Sequence, residues 1–266
     1  MPRSIWNGTI AVGLVAVPIK LYSATESKTV SFHEVHAKDG ARVEHRRFCS
    51  KDDDEVPYEE VVKGFEVAPG EFVVLDKDEI AAAAGERSKV IDVEACVCVD
   101  DVDPVFFDKT YYVGPGDEGE APYRVLHAAL DKTGRAALGR FTFHNREYLA
   151  AIRPLGGILV LHTVRFADEV VAPDDIEVRR PSTRPGDREV EMAARLVESM
   201  HEDFEPSAYE DQHREAVLAM IARKAKGETI EAPEEAPAED TPDLMAALQA
   251  SLDAHGGRRR RKKARS

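Results

Sequence analysis

The sequence is poor in cysteine: Cys49, Cys96 and Cys98 are the only three in 266 residues. An odd, low count excludes a disulfide framework and suits a reducing compartment. Long hydrophobic runs are also missing. No apolar stretch approaches the roughly 18–20 residues that a membrane-crossing helix needs. The opening residues, Met1-Pro2-Arg3-Ser4-Ile5-Trp6, lack the basic segment, apolar core and small-residue cleavage site of a signal peptide. The expected location is therefore the cytoplasm, with no membrane partner.

Catalytic signatures are absent as well. There is no GxxxxGK[ST] phosphate loop, GxSxG elbow, HExxH pair or GxGxxG after a strand. Acid pairs such as Asp100-Asp101 and Asp174-Asp175 sit in a chain with 50 acidic residues, where solvated surface explains them better than catalysis. Zinc needs about four ligands, usually including a close CxxC pair. Cys49 is followed by Ser50-Lys51-Asp52-Asp53, although His33, His36 and His45 lie near it. The expectation is no metal and no cofactor.

Basic residues are present, but unevenly. The net charge is −14, yet the tail from Gly256 to Ser266 holds seven basic residues and no acid; removing them leaves 29 basic against 50 acidic residues, or −21. The tail, with Arg258, Arg259, Arg260, Arg261, Lys262 and Lys263, implies a polyanionic partner. In the body, Lys20, Lys38, Arg42, Arg46, Arg47, Arg140, Arg146 and Arg153 are candidates for phosphate contacts made without reading sequence, or else solvated charges balancing nearby acids.

Hydrophobic content of 43% fits a globular protein with a real core. Thr9–Tyr22 is apolar and β-branched, and Gly13 and Pro18 argue for one strand with a bulge or bend. Val30–Val35, Phe72–Leu75, Ile91–Val99, Tyr111–Val113 and Ile158–Phe166 read as further strands. Arg140–His144 and Glu147–Ile152 read as a hairpin, and Glu79–Ala84 and Tyr123–Leu130 as short helices. Many short strands with two short helices imply a closed or nearly closed barrel.

After Arg184-Pro185-Gly186 the pattern becomes helical. Glu189–Phe204 carries Val190, Ala193, Val197, Met200 and Phe204 on one stripe, and Ser207 is placed to cap a second helix, Ala208–Ala225. Glu228–Asp243 has three prolines, seven acids and no basic residue, so it reads as an extended linker. A short apolar helix, Leu244–Leu252, precedes the basic tail.

Several segments together resemble the bacterial Ku family of DNA-end-binding proteins. They are RSIWNGTIAVGLVAVPIKLYSATE (Arg3–Glu26), FHEVHAKDGARVEHRRFC (Phe32–Cys49), EVPYEEVVKGFEV (Glu55–Val67) and DDVDPVFFDKTYYVGP (Asp100–Pro115). LAMIARKAKG (Leu218–Gly227) and LMAALQASL (Leu244–Leu252) continue the match in order. The resemblance implies an α+β, mainly β fold: a Ku-type β-barrel core over 1–185, a helical C-terminal arm over 186–227, the acidic linker over 228–243, a short helix over 244–254 and a disordered basic tail over 255–266. It implies a minimal core without the extra N-terminal α/β domain of eukaryotic Ku subunits.

The resemblance further implies a homodimeric ring whose basic inner wall encircles double-stranded DNA ends. It implies recruitment of an ATP-dependent DNA ligase, ligase D, in non-homologous end joining, on the nucleoid. Leu244, Leu248 and Leu252 are the expected partner-binding stripe, and no catalytic residue is expected. One departure is plain: some members carry a CxxC pair where this chain has Cys49 followed by Ser50-Lys51-Asp52. Two other readings stay open from the residues alone. One is a metal-dependent β-barrel enzyme using Cys49 with His33, His36 or His45. The other is an adaptor that docks a partner through Leu244–Leu252 without end-specific DNA binding.

Overall fold

The structure is a computed structural model. It describes residues 3–76, 78–80, 89–143, 146–177, 184–229 and 244–263, with the side chains of 245–254 in the last helix. The chain divides into two compact units, one of Met1–Lys28 with His33–Ile176, the other of Thr29–Phe32 with Glu177–Ser266.

The first unit is built on a closed barrel of β1 (Trp6–Val12), β2 (Val15–Ser23), β5 (Val90–Cys98), β6 (Phe107–Pro115), β7 (Arg135–Phe143), β8 (Arg146–Leu155) and β9 (Ile158–Val164). The strand order is β1-β2-β6-β9-β8-β7-β5. Neighbours run antiparallel except β1 and β5, whose parallel pairing closes the ring. Alternation places Ile10, Val17, Ile19, Leu21, Ile91, Val113, Ile152, Leu159 and Leu161 in the interior, each almost fully buried. Burying each such side chain contributes about 1.5–3 kcal/mol, so the barrel carries its own core.

Helix α1 (Glu120–Thr133) packs against β2, β7 and β8 and adds Tyr123 and Leu130 to that core. The Tyr123 hydroxyl donates to the Val113 carbonyl at 2.6 Å and accepts from the Leu159 amide at 2.8 Å. Both backbone groups are buried, so this one side chain satisfies a donor and an acceptor that would otherwise be orphaned.

Between β2 and β5 the chain leaves the barrel. It forms two small arches, held by the isolated bridges Val35↔Arg42 and Phe48↔Glu55, then the hairpin β3 (Lys63–Ala68) and β4 (Glu71–Leu75). Every residue of that hairpin is exposed.

Several expectations are corrected. Thr9–Tyr22 is two strands rather than one bent strand, because Gly13 adopts φ +58° and opens a two-residue turn between Val12 and Val15. Val30–Val35 is not a strand: only Val35 finds a pairing partner, and alternation without a neighbour forms no ladder. β3 has no counterpart in the sequence reading. Asp78–Ile80 begins the helix expected at Glu79–Ala84, and the rest lies outside the described residues. So does the tip of the β7–β8 hairpin.

The second unit contains α2 (Asp187–Ser199), α3 (Gln212–Ala225) and α4 (Leu244–Lys263). α3 starts later than expected. Asp211 caps it, accepting from the Arg214 amide at 2.9 Å, while Ser207 belongs to a separate 3-10 turn, Pro206–Ala208. α4 is longer than the apolar segment that marks it, because its backbone stays helical through Gly256-Gly257 into the arginine run.

Candidate nucleic-acid interface

The basic residues singled out from sequence stand on several different elements and differ in their partners. Lys20 stands on β2 and is bound by Asp117 at 2.7 Å, which holds the ammonium above its ordinary pKa through that hydrogen bond. Arg140, on β7, is gripped by Glu94 at 3.0 Å and Glu147 at 3.3 Å. Glu94 reaches it because β5 bulges between Val93 and Ala95, opposite Gly139, where a Cβ would collide with the Asp92 carbonyl. Arg146 pairs with Glu169 and lies 5.4 Å from the Tyr148 ring centroid.

Arg153 makes a different contact. Its Nε donates to His162 Nε2 at 3.1 Å, and His162 Nδ1 faces the Thr110 hydroxyl at 2.9 Å. An Nε2 that accepts belongs to a neutral imidazole. Burial, and then the neighbouring Arg153 charge, push the His162 pKa down in agreement.

The arches hold the rest. Val35 and Arg42 pair across a turn that carries Lys38, and Arg46 and Arg47 enter the second arch. Arg46 is taken by Glu55 at 3.2 Å, with Glu44 at 4.0 Å. Arg47 lies over the Tyr58 ring, 5.1 Å from its centroid. Lys38, Arg42 and Arg47 have no carboxylate partner among the described residues. Together with Arg153, which bonds His162, they are the described cations of the candidate set without an acidic partner. The side chains of Arg258–Lys263 and of Leu244 lie outside those described.

The sequence reading missed a notch where β6 and β8 begin and β9 ends. It encloses about 220 Å³ and is lined by Lys109, Arg146, Arg165, Asp108 and Glu169, with Tyr148 and Thr163. Arg165 is committed to structure: it donates to the carbonyls of Val105 and Phe107 and pairs with Asp108 at 3.1 Å. Lys109 makes no ion pair among the described residues. Its only signal in the sequence was its place in the segment FFDKTYYVGP.

The proposed zinc ligands are placed otherwise. His36 pairs with Asp39 at 3.0 Å and His45 with Glu34 at 2.8 Å. Cys49 is half-buried and closes the second arch, its amide donating to the Asp54 carbonyl at 2.9 Å. Its thiol holds the Asp52 carboxyl below the ordinary value. Among the described residues no three His, Cys, Asp or Glu side chains gather as a metal set. No helix among them is long and apolar enough to cross a membrane.

A closed barrel with cationic arches and an uncovered apolar hairpin defines a binding scaffold, one that offers surfaces to other macromolecules. Within that class the chain belongs to the Ku family: the model of the Ku70/Ku80 beta-barrel domain matches residues 11–192. The chain is 42% identical over 256 residues to the non-homologous end joining protein Ku of Anaeromyxobacter sp. (strain K), covering 96% of this chain and 86% of that one. It is 41% identical to the protein of the same name from Frankia casuarinae, covering 95% of this chain and 64% of the relative. The Bacillus subtilis (strain 168) protein of that name is 33% identical, covering 94% and 82%. The family serves DNA repair and is non-catalytic, so the chain is not an enzyme.

Proposed function

We propose that the chain acts as a homodimeric clamp that threads onto double-stranded DNA ends without reading their sequence, shields them and recruits an ATP-dependent DNA ligase, ligase D. The observation that carries this reading is membership, over nearly the whole chain, of a family whose relatives are named for non-homologous end joining. Two features of the molecule support it. The hairpin β3–β4 and its surroundings leave Phe65, Phe72, Val73, Val74 and Tyr58 uncovered, as a chain does when a second copy completes the fold. Lys38, Arg42 and Arg47 leave their charge unneutralised in a chain of net charge −14, which directs a polyanion to the arches and away from the acidic remainder. Phosphate contacts of this kind position a duplex and do not specify sequence.

The ring is tested with three DNAs of one length: open linear, linear with both ends blocked by a bulky group, and closed circular. The clamp loads on the first and fails on the other two at moderate salt. Equal affinity for all three overturns it. The basic tail adds affinity without end dependence.

A further inference from the structure

Leu248 and Leu252, expected to meet a partner, are not free in the isolated chain. Helix α4 packs against α2 within the second unit. On α4 the half-buried side chains are Met245, Ala247, Leu248, Ser251 and Leu252, while Ala246, Gln249, Ala250 and Asp253 stay open to solvent. Gln249 even bonds Asp253 along that open face, at 3.2 Å. On α2 the half-buried residues include Met192, Ala193 and Leu196, whereas Val190 and Val197 are exposed. The apolar stripe of α4 therefore lies on the Met192–Leu196 stripe of α2.

We propose that α2 is a latch for α4: it occupies the stripe through which a partner protein binds, so that recruitment requires α4 to leave α2. This rests on the proposed ligase recruitment and on the expectation that Leu244, Leu248 and Leu252 form the stripe that makes it. A helix read by a groove presents anchors at i, i+4 and i+8, the spacing of Leu244, Leu248 and Leu252. The same face cannot serve α2 and a groove together. The stripe is half-buried and not sealed, and a contact of that size exchanges. The connection between the two helices, which includes α3, holds them at an effective concentration on the order of 1 mM. If the untethered contact has a Kd of about 0.1 mM, roughly one α4 in ten is free, and the apparent affinity of the partner falls about tenfold.

The test uses the full chain and two substitutions in α2, Leu196→Ser and Met192→Ala, which leave α4 intact. Amide exchange over Leu244–Asp253 should speed up in both, and the ligase should bind severalfold to tenfold tighter. Unchanged exchange overturns the latch. Protection of α4 that grows with protein concentration also overturns it, since the host would then be a second copy. Truncation before Leu244 separates the two proposals: if the ligase still binds, the recruitment reading has failed, while the exchange result judges the latch on its own. Should Leu196→Ser melt α2, a peptide spanning Leu244–Asp253 added to the truncated chain gives the same answer. It slows exchange across Asp187–Ser199 if the latch is real, and no slowing overturns it.

Discussion

The barrel and the excursion between β2 and β5 are both strand-forming and rich in valine and phenylalanine, yet they treat those side chains in opposite ways. In the barrel, Ile10, Ile91, Ile152, Leu159 and Leu161 are sealed from solvent. In the excursion, Phe65 is 67% exposed and Phe72 is 58% exposed. An ordinary surface hairpin is apolar on one face only. Here Phe65 pairs with Val73 on one face, and Phe72 and Val74 lie on the other, so both faces are open. A two-stranded hairpin alone is at best marginally stable in water. The barrel core is complete within one chain, whereas the apolar side chains of the hairpin stay open to solvent.

The comparison is broken most severely from inside the barrel. Tyr123→Phe removes the hydroxyl that serves Val113 and Leu159, leaving a buried carbonyl and a buried amide unpaired. The loss should be about 2–4 kcal/mol of barrel stability, read by chemical denaturation and independent of protein concentration. A loss below about half a kcal/mol would show that the barrel end admits water to these groups.

The excursion answers differently. The double substitution Phe65→Glu with Phe72→Glu puts charge on both faces of the hairpin. Self-association, measured by sedimentation, should weaken at least tenfold, and retention on DNA ends should fall with it. Barrel unfolding should stay within about half a kcal/mol, as for exposed positions. Self-association that survives the change would place the subunit interface elsewhere.

How much of this was legible in the sequence depends on how local each feature is. Ile91–Val99 alternated and Ile158–Phe166 was strongly apolar, so both strands could be read directly, but the bulge between Val93 and Ala95 leaves Ala95 exposed, and that turn of the face could not. Gly13 could not be resolved, because a bulge and a two-residue turn ask for the same residue. Val30–Val35 alternates as well as a true strand does, but pairing is decided by neighbours far along the chain. The candidate cations were legible as residue types and not as available charges. Arg140 is neutralised by Glu94 on another strand and Arg146 by Glu169 beyond β9, and neither pairing leaves a mark in the local sequence. Lys109 and the packing of α4 on α2 were hidden for the same reason.

The smallest effect sharpens the contrast by charge. If the arches meet DNA and the outer barrel strands do not, Arg42→Ala and Lys38→Ala should each weaken end binding roughly threefold at moderate salt. Each should also lower the slope of log affinity against log salt by about 0.9, one phosphate contact apiece. Arg140→Ala removes the same formal charge from the chain, so it controls for net charge. Its guanidinium is already held by Glu94 and Glu147. Its loss should leave the salt slope unchanged and cost no more than about 1 kcal/mol of stability, the usual range for exposed pairs. Titrations at two salt concentrations distinguish the cases. Equal losses for Arg42 and Arg140 would mean that the duplex feels only the total charge, and that the arches hold no privileged place in the interface.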